Sequence, residues 1–202
     1  MPPRIGVLAL QGDFEAHQKA LERAGAVPFE VRCAADLESL DGLILPGGES
    51  TTMLKLLDAE EMLEPVREFG SRKPVFGTCA GAILLATEVL HPRQRSLGLM
   101  DLTVERNGYG RQVDSRITQI ELDGKSAEAV FIRAPVIRRV GPESKILATY
   151  LDAPVLVEQG RHLAATFHPE LSTGSDIHQH FVNKVAAERE KQANSVTLGV
   201  LG

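Results

Sequence analysis

The sequence predicts an α/β fold, a single three-layer domain around a central mixed, mainly parallel sheet. Three observations lead there. Strand-like and helix-like runs alternate through the first half of the chain, the sequence mark of a sheet with crossover helices. Ile5–Leu10 is an almost unbroken apolar run, as a strand buried on both faces requires. Glycine-rich turns, Pro46-Gly47-Gly48 and Gly77–Gly81, sit where strands give way to helices.

Taken in order, Ile5–Leu10 is the first strand and Phe14–Ala24 the first helix, stopped at Gly25. Val27–Val31 and Gly42–Leu45 follow as short strands, the second broken by Pro46-Gly47-Gly48. Ser50 reads as the cap of a helix running through Leu57, and Glu60–Phe69 continues as helix. Pro74–Gly77 is the fourth strand, and Ala80–Leu90 a helix that begins just after it. Between Leu97 and Gln159 the period changes. Leu99–Glu105, Arg116–Leu122, Ala129–Arg133, Lys145–Tyr150 and Val155–Glu158 are short segments separated by Gly, Pro and Asp. They read as antiparallel or mixed strands extending the main sheet. Ala164–Phe167 is the last strand and Ile177–Glu190 a closing amphipathic helix. Residues 1–190 thus make one domain, and 191–202 are expected to be a flexible tail.

Composition narrows the function. At 202 residues, 43% hydrophobic and 24% charged, the chain is an ordinary soluble globular protein, which excludes disorder as its main state. Its longest apolar runs are far too short to span a bilayer, so no membrane partner is expected. A net charge of -5 and a pI near 5.7 give no surface for a polyanion. With no Trp, seven Phe and two Tyr there is no stacking platform either, and no nucleic-acid partner is expected. Cys33 and Cys79 lie far apart without metal-ligand spacing, which excludes a disulfide framework and points to no metal site. Residues 1–30 carry no secretion-type pattern, and a reducing cytoplasm is the expected location.

Gly77-Thr78-Cys79-Ala80-Gly81 has the form of a nucleophile elbow, with cysteine in place of serine. A tight strand-to-helix turn needs small neighbours so that the backbone bends and the nucleophile projects. The helix start beside the sulfur favours thiolate, and the N–H of Ala80 is free to donate to an oxyanion. Cys33, without a glycine framework, reads as a small core hydrophobe.

A cysteine nucleophile needs a base. His168-Pro169-Glu170 ends an apolar strand, and in extended backbone positions i and i+2 share a side, so Glu170 reaches the His168 imidazole. Such a carboxylate sets the tautomer and leaves the other ring nitrogen to face the nucleophile. Both Cys79 and His168 fall at carboxyl ends of strands, where open α/β sheets place their sites. His17, His91, His162, His178 and His180 lie in no comparable motif, and His178 and His180 are expected to be solvated on the closing helix. The loop Pro46-Gly47-Gly48-Glu49-Ser50 lacks the phosphate-loop pattern and reads as a second oxyanion donor through Gly48. Gln11-Gly12 closes the first strand on the same edge, where a docking partner could touch it together with the glycine loop.

These motifs resemble the class I (triad-type) glutamine amidotransferases and, more narrowly, the glutaminase subunits of pyridoxal 5′-phosphate synthase. The likeness extends over about residues 4–187 and includes Ile5–Gly12, Leu45–Thr52, Val104–Gln112, Phe131–Pro135 and Phe167–Leu171. Ala9 departs from the glycine found in many relatives. The resemblance implies that Cys79 attacks the side-chain amide of L-glutamine, with His168 as base and acid and Glu170 as its orienter. It places the oxyanion hole at Gly48 and Ala80, and substrate-binding groups at Gly48, Glu49, Ser50, Arg106, Ile132 and Arg133. The partner it implies is a (β/α)8 synthase subunit that receives the ammonia in a hetero-oligomeric complex and switches on this chain's glutaminase activity, a gate placed at Gln11. No cofactor is expected in this chain, because pyridoxal 5′-phosphate would be the partner's product. A glutaminase feeding another synthase, a γ-glutamyl hydrolase and a non-catalytic binding module of the same fold are the alternatives. Glu49–Thr52 and Arg106–Gln112 favour the pyridoxal 5′-phosphate synthase glutaminase over these, and the intact Cys79, His168 and Glu170 disfavour the binding module.

Overall fold

The computed structural model describes residues 1–106, 108, 115–122, 124–174 and 176–199, with side chains through residue 194. In chain order the elements are β1 (Arg4–Leu8), α1 (Phe14–Arg23), β2 (Val27–Val31), β3 (Gly42–Leu45), α2 (Ser50–Ala59), α3 (Leu63–Arg72), β4 (Val75–Thr78) and α4 (Ala80–Leu85). There follow β5 (Ala86–Leu90), β6 (Met100–Glu105), β7 (Ser115–Leu122), β8 (Lys125–Ile132) and β9 (Val136–Val140). Last come β10 (Ser144–Tyr150), β11 (Ala153–Gln159), β12 (His162–Ala165) and α5 (Asp176–Gly199).

Seven strands form the main sheet in the order β10-β11-β12-β4-β3-β1-β2. The block from β12 to β2 is parallel, and β10 and β11 extend it antiparallel. Strand β3 shows why the sheet is buried on both sides. Ile44 packs into the layer formed with α1 and α5, while Leu43 and Leu45 point the other way, into the layer of α2, α3 and α4. That is the period-two alternation of a strand with two apolar faces. A small sheet, β5-β6-β9, backs the α2–α4 layer, and the β7–β8 hairpin packs on the α5 side through Ile120, Leu122, Ala127 and Phe131.

Register then sets the working edge. Leu45 pairs with Gly77, and Ala165 with Thr78, so β3, β4 and β12 end level with one another. The residues that follow these ends, the loop from Pro46, Cys79 and the turn to His168, are therefore neighbours.

Several expectations need correcting. The helix expected over Ala80–Leu90 ends at Leu85, and Ala86–Leu90 is a strand paired with β6. Val89 is buried while Thr87 and Glu88 are exposed, and this long-range pairing overrides the local helical preference. Strand β9 was not expected at all. Ser50 is the first residue of α2 rather than its cap. Glu49 caps it, accepting from the N–H groups of Thr51 and Thr52. Cys33 is exposed, not in the core, because β2 is the sheet's edge strand and ends at Val31. Helix α5 runs to Gly199, past the expected end at Glu190, and the expected tail lies partly outside the described residues. Among the described residues no helix is long and apolar enough to cross a membrane.

Candidate active site

Cys79 sits on the turn between β4 and α4 at φ 48° and ψ -104°, a region that non-glycine residues rarely occupy. The turn is clamped. The Cys79 N–H donates to the Ala165 carbonyl at 2.8 Å, and its own carbonyl accepts from the Ile83 N–H at 3.2 Å. Both flanking glycines are required by contact. A Cβ at Gly77 would stand 2.5 Å from the backbone of Gly81, and one at Gly81 would stand 2.0 Å from the Leu45 carbonyl oxygen. No side chain fits at either position, so the strained cysteine is held by packing rather than by its own preference.

His168 follows β12, and its N–H donates to the Val130 carbonyl of β8 at 2.8 Å. Its Nδ1 lies 2.7 Å from Oε1 of Glu170, whose side chain is fully buried. Burial works to lower the His168 pKa. Hydrogen bonds to Cys79 and Glu170, with the charges on those groups, outweigh burial and push it up to about 10. This places a protonated imidazole beside the Cys79 sulfur. Gly47 lies against this pair, since a Cβ there would meet His168 Cε1 at 2.4 Å.

A cavity of about 320 Å³ opens over the sulfur, lined by Gly48, Glu49, Ser50, Cys79, Ile83, Arg106, Ile132, Arg133 and His168. Two larger surface hollows, about 480 and 500 Å³, lie away from these groups. Within the cavity, Arg106 donates from one guanidinium nitrogen to Oε1 of Glu49 at 2.9 Å and to Oγ1 of Thr51 at 2.8 Å. Burial opposes the charge on Glu49. Bonds from the Thr51 N–H and from the hydroxyl and N–H of Thr52 outweigh it and hold the carboxyl at about 2. The cavity wall thus carries a cationic and an anionic group side by side.

The structure brings every residue expected to bind substrate, Gly48, Glu49, Ser50, Arg106, Ile132 and Arg133, to this one cavity. Ala80 opens α4 directly after the cysteine, and Glu170 stands behind His168. Gln11 lies on the far side of the glycine loop, its Nε2 donating to the Glu49 carbonyl at 2.8 Å. Of the run Val104–Gln112, residues Asn107 and Tyr109–Gln112 lie outside the described residues.

Sequence reasoning missed Ile83, which lines the cavity, and Thr51, which holds Arg106. It also misplaced His178, which is fully buried rather than solvated, and passed over His17, equally buried. The signal was present. His178 shares a stripe with Phe181, Val182 and Val185 at helical spacing, and His17 shares one with Ala20 and Leu21. His180 is half-buried against Glu158 at 2.9 Å.

Comparison with known proteins agrees with this geometry. Residues 7–187 match the SNO glutamine amidotransferase family. A pyridoxal 5′-phosphate synthase subunit PdxT from Solibacter usitatus is 56% identical over 190 residues, covering 90% of this chain and 99% of that protein. The PdxT subunit of Deinococcus radiodurans is 51% identical, covering 92% and 98%. A solved glutamine amidotransferase superposes with a TM-score of 0.85 at 47% identity, covering 90% of this chain and 98% of its own. A putative GMP synthase component from Thermoplasma acidophilum, at 20% identity and a TM-score of 0.69, shares the fold, covering 96% of this chain and 98% of its own. With the family matched across nearly its whole described length, the chain is a member of the SNO glutamine amidotransferase family.

Proposed function

We propose that this protein is the glutaminase subunit of a pyridoxal 5′-phosphate synthase, hydrolysing L-glutamine to L-glutamate and ammonia. The reading is carried by one observation: a strained, buried cysteine, a histidine bonded to a buried carboxylate and a charged cavity share one sheet edge, in a chain 56% identical to a PdxT subunit.

The Cys79 sulfur attacks the side-chain amide carbon, and the amide oxygen takes the electron pair. The N–H groups of Ala80 and Gly48 hold that oxyanion. His168 gives its proton to the departing nitrogen, ammonia leaves and a thioester remains. Water then attacks the thioester, His168 takes up a proton, and glutamate departs. Glu170 keeps the imidazole oriented and supports its positive form. In the cavity wall Arg106 takes the substrate's α-carboxylate through guanidinium N–H groups that Glu49 and Thr51 do not occupy, and Glu49 faces the α-ammonium. Ser50, Ile132 and Arg133 complete the wall around the amino-acid end.

The ammonia acceptor is a (β/α)8 synthase subunit docked on this edge, within reach of Gln11 and the glycine loop. The location that fits such a complex is the cytoplasm. The test is glutamate formation with and without that synthase subunit. Wild-type protein with the partner should release glutamate and support cofactor synthesis from glutamine. Cys79→Ala should lose both, yet still bind the partner and support synthesis from ammonium salts. Glutaminase activity near wild type in Cys79→Ala would overturn the mechanism.

A further inference from the structure

Behind the triad lies a buried polar chain that the reaction as described does not use. Helix α1 delivers His17 and α5 delivers His178, both fully buried. The Nδ1 of His17 lies 2.9 Å from the Nε2 of His178. Its Nε2 lies 3.2 Å from Oγ1 of Thr78, the residue before the nucleophile, and 3.4 Å from Oε2 of Glu170. Oε2 is the carboxylate oxygen that His168 does not engage, and no hydrogen bond reaches it among the described residues. A buried carboxylate with one bare oxygen is costly, and the His17 ring nitrogen stands 3.4 Å from that oxygen.

Proton counting fixes the tautomers. Burial, with the nearby His178 and His168, holds His17 well below its ordinary pKa, and burial with the charge of Arg23 pushes His178 down to about 3. Both rings are therefore neutral, and one of the two facing nitrogens must donate to the other. If His17 donated from Nδ1, its Nε2 lone pair would face the Glu170 carboxylate. The Nδ1–H of His178 would then also be buried with no acceptor. The reverse assignment leaves only an unpaired lone pair on His178 Nδ1, and unpaired acceptors are better tolerated than unpaired N–H groups. It turns the Nε2–H of His17 toward Thr78 and Glu170.

We propose that His17 is a positioning residue for the triad, its Nε2–H fixed by His178 and steering the free oxygen of Glu170. The chain then runs His178, His17, Glu170, His168, Cys79, from the closing helix to the nucleophile. This rests on the glutaminase reading and extends it to residues that never touch substrate.

The test compares His17→Leu with His17→Gln, the second of which keeps a side-chain N–H donor. Glutaminase is assayed with the synthase subunit present, and thermal unfolding is followed in parallel. His17→Leu should lower kcat about 10- to 100-fold, the cost of a lost hydrogen bond to a charged group, with KM within about twofold. His17→Gln should recover most of that loss. Nitrogen-15 NMR of the wild-type imidazoles should show His17 neutral with its proton on Nε2. A proton on Nδ1 overturns the proposal even if His17→Leu does not fold. A kcat for His17→Leu within twofold of wild type also overturns it, as do equal losses in two folded variants. Failure of the glutaminase reading itself would show separately, as activity retained in Cys79→Ala.

Discussion

The two proposed oxyanion donors, Ala80 and Gly48, come from backbones held in opposite ways. The Cys79 turn is closed by packing, with glycine atoms against backbone on both sides and main-chain bonds fixing the cysteine's N–H and carbonyl. The glycine loop is anchored at Gly47, under His168, but Gly48 is exposed at φ 135°, and a Cβ there would meet the side-chain amide of Gln11 at 2.8 Å. Gln11 is itself half-buried, and its bond to the Glu49 carbonyl is made by a side chain that can turn. The nucleophile is therefore preset, whereas the Gly48 donor depends on a movable neighbour at the surface. Anything that docks on this edge acts on the loop before it acts on the cysteine.

Removing charge from the fixed side of this comparison should have the largest effect. Glu170→Gln keeps the shape but withdraws the negative charge that supports the imidazolium, so kcat should fall about 10³- to 10⁴-fold. Glutamine KM should change little, because Glu170 lies behind His168 and away from the cavity. The same variant has a signature in pH. His168 keeps its proton up to about 10 in part through its bond to Glu170, so in Glu170→Gln the proton should leave at lower pH. Alkylation of Cys79 across pH, in a Cys33→Ser background to silence the exposed thiol, reads that shift. An unmoved profile would mean that Glu170 orients the ring without supporting its charge.

The fixed region is legible in the sequence and the movable one only in outline, for a physical reason. Gly77 against Gly81 and the His168-Pro169-Glu170 run encode contacts within a few residues of each other, and local backbone rules interpret them. Gly81 is legible through the same elbow pattern, although its own close contact is with Leu45. The Gln11 contact spans from β1 to the loop after β3, and no local rule connects residues so far apart. Arg106 and Arg133 look like surface charges until β6 and β8 bring them to the cavity, and only family resemblance singles them out. The buried histidines are within reach of the sequence. Their helical stripes are apolar, and that periodicity places a histidine at such a position inside, against the residue's ordinary preference for water. Strand β5 fails in the other direction, since Ala86–Leu90 continues a helical run and only its pairing with β6 makes it a strand.

Activation by the partner is the next effect in size. If the Gly48 N–H is not aimed until something docks, the free subunit lacks one oxyanion donor, a loss of about 10²- to 10³-fold in rate. Titrating in the synthase subunit should restore that factor, read as glutamate formation. Gln11→Ala should erase most of the activation while leaving the unpartnered rate near wild type, since it removes only the contact that couples the edge to the loop. Equal rates with and without the partner would show that the glycine loop is as preset as the cysteine turn, and the contrast between the two regions would disappear.

The smallest effect tests whether the cavity's charged wall is independent of both regions. Arg106 is already held by Glu49 and Thr51 before substrate arrives, so its guanidinium is oriented in advance and loses little freedom on binding. Arg106→Ala should raise glutamine KM about 10- to 100-fold, the worth of a charge-assisted contact to the α-carboxylate, while kcat falls by much less. Arg106→Lys should recover only part of this, because an ammonium cannot hold Glu49, Thr51 and a carboxylate in the guanidinium's fixed planar arrangement. Steady-state kinetics with saturating partner separates the two constants. A fall in kcat matching that of Glu170→Gln would mean that Arg106 acts through Glu49 on the glycine loop. The charged wall of the cavity would then belong to the movable region and not to a separate binding site.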